Sequence, residues 1–189
     1  MFVNVFEVPE MKGIMYIPGR PREYRADCKA GMFKIGESKV TGNELEIEIL
    51  DCNTFEAELF NYRFQQWLQI IFVDRDNFIS HILFKNESLD NFIEMFRELS
   101  KDKKALGSGI IKAIMSKRSS ETGTYYAVEF SWQENKSERV KELKTFCESN
   151  KIYSARFNET LAQAQIPPAE PKKVEQIEEE KVTKPNGKR

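Results

Sequence analysis

The chain is short of the residues that most catalytic and metal-binding chemistry draws on. It has one histidine, His81, in 189 residues. Without a second histidine no His-based metal constellation can form, and a Ser–His–Asp arrangement would have to pass through His81 with no GxSxG elbow beside it. A lone histidine inside FISHILF (78–84) reads instead as a face residue of an apolar strand. The three cysteines, Cys28, Cys52 and Cys147, are odd in number, far apart and include no CxxC pair. That usage fits reduced thiols better than a disulfide framework and points to the cytoplasm. No apolar run approaches the roughly 18 residues a membrane span needs, and MFVNVFEV (1–8) carries no charged opening of the signal-peptide kind. No membrane partner is expected. Bulk charge is missing too: the formal net charge is −1, which excludes a protein that coats nucleic acid by overall positive potential.

Two further patterns stop short of chemistry. GSGIIK (107–112) lacks the GK[ST] ending of a phosphate loop, and its glycines open a strand, not a helix. Residues 41–60 hold Glu44, Glu46, Glu48, Asp51, Glu56 and Glu58 with no cation. Carboxylates in a row along a strand are a solvated face, whereas a two-metal nuclease needs them converging from separate elements. The chain is expected not to be an enzyme, with no catalytic residue, no metal and no cofactor.

What the chain does have is a core. Apolar residues make up 40% and aromatics 12%, including 14 phenylalanines, enough for one packed domain. ELEIEIL (44–50) alternates apolar and acidic residues with the period of a half-buried strand, and TFEAELF (54–60) is expected to return as its hairpin partner after the Asp-Cys-Asn break. WLQIIFV (67–73) reads as a central strand, followed by FISHILF. VNVFEV (3–8), GIMYI (13–17) and AGMFKIG (30–36) are expected as earlier strands. Ser88 is placed to cap a helix over 88–99, with Leu89, Phe92, Ile93, Phe96 and Leu99 on its buried face. GSGIIKAIMSK (107–117) and TYYAVEFSW (124–132) form a long hairpin, with 117–123 expected as a protruding loop. A second helix covers about 137–149. From Leu161 the text is rich in proline and mixed charge, and disorder is expected from about Ile166.

The fold class is therefore β-rich α+β. Strands, a helix over 88–99 and the hairpin 107–132 match the order of an OB-like barrel, with extra N-terminal strands, a C-terminal helix and a disordered tail. A small β-sandwich or another barrel would give a similar pattern. The expected division is a domain over 1–157, then a linker and disordered tail over 158–189.

Charge segregation bears most on function. Residues 11–40 carry seven cations against three carboxylates, and 101–118 carry six against one. Cations that track phosphates, interleaved with rings that stack on bases, are what a single strand needs. Expected binding residues are Arg20, Arg22, Tyr24 and Arg25 in GRPREYR, then Lys112, Lys117, Arg118 and Tyr125 at the hairpin. Phe33 and Tyr126 are further stacking candidates. The general organisation is similar to small phage- or plasmid-type single-strand binding proteins, with no stretch specific to one family. The expected function is non-enzymatic binding of single-stranded DNA, or RNA. The alternative is a protein-interaction or accessory factor of phage or mobile-element origin, docking a partner through the tail or the acidic strands. A homo-oligomer is compatible with either.

Overall fold

The alternation in ELEIEIL does produce a strand, and the strand runs well past Leu50. The computed structural model describes residues 13–17, 20–60, 62–121, 123–150 and 152. Its elements are β1 (Arg22–Asp27), β2 (Met32–Ile35), β3 (Lys39–Gly42), β4 (Glu44–Ala57), β5 (Gln65–Val73), β6 (Ile79–Lys85), α1 (Asn86–Lys101), β7 (Gly109–Ser120), β8 (Gly123–Glu134) and α2 (Ser137–Ser149). The strand expected at 3–8, the boundary at 157 and the tail from 158 lie outside the described residues. The segment 13–17 contributes only an isolated parallel bridge, Met15 to Phe78. No helix among the described residues is long and apolar enough to cross a membrane.

No hairpin turn forms at Asp51–Asn53: all three residues pair with β5, and the irregularity is a bulge at Leu50. The register of β4 against β5 slips between Ile49 and Asp51, and pairing then continues to Ala57–Gln65. A bulge bends a strand without ending it, because the ladder resumes after the extra residue. The bend lets β4 serve two partners: Glu44–Ile47 pairs with β7, and Glu48–Ala57 pairs with β5. The eight strands form one sheet in the order β3-β2-β1-β6-β5-β4-β7-β8, curled into a half-barrel. Every pairing is antiparallel except β1 beside β6.

The inner face holds the main core. Phe33, Ile47, Ile70, Phe72, Ile82, Ile111 and Val128 are all 0% exposed there. Helix α1 lies over the open side. It begins at Asn86, two residues before the expected cap, so Ser88 sits inside the first turn and caps nothing. Its hydroxyl instead accepts a bond from the Val128 backbone N–H at 2.9 Å, while Asn91 Nδ2 donates to the Val128 carbonyl at 2.9 Å. The outward groups of Val128 on the edge of β8 are thereby satisfied, as is the Tyr126 N–H, which reaches the Cys28 carbonyl at 2.9 Å. An uncovered edge would be a template for aggregation. Edge-to-face contacts of Phe130 with Phe84 and Phe92, at 5.2 and 5.4 Å, close the seam.

The buried face of α1 keeps Leu89, Phe92 and Leu99 of the expected stripe, with Ile93 packed against it, and departs from it at Phe96. Ser88, Leu89, Phe92 and Leu99 are buried and Met95 packs beside them, whereas Phe96 is 46% exposed. The stripe through 88, 92, 95 and 99 leaves residue 96 on its flank. On the opposite face of the sheet α2 covers Ile71, Val73 and Ile79 with Leu143. Arg139 ties it down through Glu48, at 2.9 Å from Nε, and Asn77, at 2.7 Å.

These contacts predict a contrast within one helix. In urea unfolding, Phe92→Ala is expected to cost about 3–5 kcal/mol, the range for a large core truncation, and Phe96→Ala less than about 1 kcal/mol. Ser88→Ala is expected to cost about 1–3 kcal/mol, because it strands the Val128 N–H. Equal losses at Phe92 and Phe96 would show that the helix face is misassigned.

Candidate nucleic-acid interface

β1 exists because GRPREYR is fixed by one buried carboxylate. Asp74, 3% exposed, accepts from Arg22 Nη1 at 2.8 Å, the Tyr24 hydroxyl at 3.2 Å and the Ser80 hydroxyl at 3.0 Å. It also caps its own turn by accepting from the N–H groups of Asp76 and Phe78, both at 2.9 Å. Arg22 bonds Asp76 as well, and its guanidinium lies 3.9 Å from the Phe78 ring centroid. Burial, followed by the Asp74 charge, pushes the Tyr24 hydroxyl up to about 12. The tyrosine is 6% exposed. Neither Tyr24 nor the fully buried Phe33 offers a face to a base; both are core. Arg22 is a structural ion-pair partner.

The other expected cations are mostly matched across the fold. Arg25 pairs with Glu23 at 2.7 Å, and Lys112 with Glu44 at 3.0 Å. Glu46 meets Arg75 at 3.2 Å and Glu48 meets Arg139, so the first three carboxylates of β4 have basic partners. Arg118 bridges Glu87 at 2.6 Å and Glu129 at 2.7 Å, and Tyr125 donates its hydroxyl to Glu87 at 2.7 Å. Arg118 holds both carboxylates below their ordinary range, and at Glu87 the Tyr125 bond adds to this. Arg20 and Lys117 are exposed with no ion-pair partner among the described residues. Tyr125 is 39% exposed, and Tyr126 is half-buried against Gly31.

The expected hairpin loop is smaller than its sequence suggests. The ladder runs to Ser120–Gly123, so Lys117 and Arg118 are strand residues opposite Tyr126 and Tyr125 and not part of a loop. Gly123, with φ of 130°, takes the backbone angle the tight return requires.

A stronger aromatic feature lies in the β4–β5 connection. Phe60, Tyr62 and Phe64 are 60%, 50% and 63% exposed. Phe60 and Tyr62 stand edge-on to buried Trp67 with centroids 5.9 and 6.0 Å away, and Lys85 Nζ lies 2.8 Å from the Tyr62 centroid. Phe60 has φ of 53°, a left-handed conformation that costs a bulky residue about 1–3 kcal/mol and is concentrated at functional sites. A cavity of about 290 Å³ opens between this loop, β1 and β6. The signal was present in the sequence: FNYRFQQW (60–67) holds four aromatics and an arginine in eight residues. No strand or helix period frames it.

Loop and hairpin meet at the β6–α1 junction. Lys85 faces Tyr62 on one side, and Glu87, two residues on, takes Arg118 and Tyr125 from the other. Among the described residues no group of three or more His, Cys, Asp or Glu is placed to hold a metal. In comparisons with known families, curated proteins and solved structures, no match is found.

His81 lines the same cavity, opposite Glu23 across the β1–β6 ladder. Burial lowers its pKa, with Glu23 opposing the effect, so the folded state favours neutral imidazole. The unfolded chain, with an ordinary pKa of about 6.5, then binds more protons, and stability falls as pH drops below that value. Urea midpoints measured against pH are expected to decline there, and His81→Gln to flatten that limb. Losses from the lowered carboxylates Asp27, Glu87 and Glu129 come only near and below their ordinary range, about pH 4. An unchanged limb in His81→Gln would remove the histidine as its cause.

Proposed function

We propose that this protein is a non-enzymatic module that binds single-stranded nucleic acid, DNA by preference, on an OB-like scaffold. The observation that carries the reading is the exposed loop of Phe60, Tyr62 and Phe64, with Arg63 among them and Lys85 beneath. Rings that present faces to solvent next to unmatched cations suit bases and phosphates together. The scaffold supports the same reading. A long bent strand shared by two partners, then two more antiparallel strands, a helix and a hairpin is the element order of an OB barrel, with β1–β3 added beside β6. In that comparison the β4–β5 loop and the β7–β8 turn correspond to the two loops that flank an OB ligand groove. Three free cysteines suit a reducing, cytoplasmic setting.

The interface in this proposal differs from the one expected from sequence. Lys117 and Tyr125 remain at its hairpin side, whereas Arg22, Tyr24 and Lys112 belong to the scaffold. A second reading, a protein-interaction factor, draws on the open groove beside α1. There Met95, Leu99, Phe130 and Trp132 offer apolar surface, while Glu94, Glu98 and Asp102 pair with Arg97, Lys101 and Lys104, a lining suited to an apolar segment.

Fluorescence anisotropy with labelled poly-dT and with duplex DNA tests the proposal. Poly-dT is expected to bind more tightly than duplex, with affinity falling steeply as salt rises. Replacing Arg63 and Lys117 together by alanine is expected to flatten the log K against log salt slope by between about one and two units. Phe64→Ala is expected to lose about 1–3 kcal/mol with the slope unchanged, since stacking releases no counterions. Absence of binding to any oligonucleotide at low salt would remove this reading and favour the protein partner.

A further inference from the structure

The cavity beside the aromatic loop has features that a groove for a strand does not require. Its volume of about 290 Å³ is at the lower end of small-ligand sites, which run from about 300 to 1,000 Å³. One ring system with a substituent fits; a peptide does not. It is lined by Glu23, Tyr24 and His81 of the β1–β6 ladder and by Arg25, Leu83 and Lys85 beyond the ladder's end. Trp67 forms a rigid wall, because it is 3% exposed and its indole N–H donates to the Ala57 carbonyl at 3.1 Å. Phe60 and Tyr62 stand edge-on to that indole from the loop.

Charge selects the ligand further. Glu23 and Arg25 line the cavity but pair with each other at 2.7 Å, so their charges are matched. Lys85 has no carboxylate partner among the described residues and rests on the Tyr62 ring. A cation–π contact is weaker than a charge-assisted bond to phosphate, so an arriving anion can draw this ammonium away from the ring. Lys85 in turn repels a cationic ligand from the same aromatic walls.

We infer that this cavity binds one nucleotide unit, its base against Phe60, Tyr62 and Trp67 and its phosphate on Lys85. The inference rests on the proposed binding of nucleic acid and names the subsite. The shared chemistry, a flat heterocycle bearing phosphate, has two sources: a free nucleotide, or an unpaired nucleotide of a strand.

The experiment titrates thymidine and adenosine monophosphates against the full chain, and separately against its complex with labelled poly-dT. Saturation-transfer NMR on wild type reports contact with the ligand. Emission in Trp132→Phe, which leaves Trp67 as the sole tryptophan, reports the cavity itself; the NMR arm stands if that variant does not fold. Both nucleotides are expected to bind saturably and quench Trp67. Phe60→Gly and Lys85→Gln are each expected to weaken binding about tenfold, and Phe96→Ala to leave it unchanged. Glycine accepts the φ of 53° without strain, so Phe60→Gly removes the ring and not the fold. Competition with poly-dT supports the strand's own nucleotide as occupant. Mononucleotide binding without any poly-dT binding supports a free nucleotide as ligand and removes the strand reading alone. Poly-dT binding that neither substitution weakens, with no mononucleotide signal, overturns the inference and leaves the proposed function standing.

Discussion

The two hydrogen bonds between α1 and Val128 hold the architecture together. β8 ends the sheet, and its outward N–H and C=O at residue 128 would otherwise need water or another chain. Ser88 and Asn91 supply both partners from one helix face. That seam closes the half-barrel over its core, with the Phe84, Phe92 and Phe130 rings behind it. It also fixes where the first turn of α1 points. Glu87, next to Ser88, can then reach Arg118 and Tyr125 on the hairpin, and Lys85 is left facing the aromatic loop. Scaffold and candidate site share one strand-to-helix junction.

Electrostatics gains a different meaning once the chain is folded. The acidic start of β4 meets cations that are distant in sequence: Glu44 takes Lys112 of β7, Glu46 takes Arg75 and Glu48 takes Arg139 of α2, while Arg22 of β1 pairs with Asp74 after β5. Exposed pairs of this sort contribute little stability individually, but they remove cations from the surface potential available to phosphates. The buried Asp74 cluster differs, since its carboxylate is bonded by side chains of β1 and β6 and by its own turn. Removing one partner there would leave a buried charge short of a donor, the costly case.

Several features follow from local chemistry and were legible in the residues. The alternation of Leu45, Ile47 and Ile49 dictates a half-buried strand. The apolar run of 67–73 dictates a central one, and the period of 88–99 dictates a helix between strands. The strand–helix–hairpin order was readable for the same reason: each period is a property of neighbouring side chains. FNYRFQQW is equally present, but an irregular loop has no period to mark it, and only the folded structure shows Phe60, Tyr62 and Phe64 exposed.

Tertiary structure alone decided the rest, because each point depends on partners far along the chain. Asp51–Asn53 could be a turn or strand, and only the continuing ladder to β5, past a bulge at Leu50, makes it strand. Ser88 could cap a helix or serve an edge strand, and only the arrival of Val128, 40 residues on, selects the second. Tyr24 looked like a stacking platform among arginines. Its neighbour across the parallel ladder is Ile82, and Asp74 binds its hydroxyl, so the ring turns into the core. Sequence by itself determined β5, β6, both helices and the β7–β8 hairpin in their order; long-range pairing determined β1, β3 and the extent of β4, which charges are matched, which rings face water, and where a ligand has room.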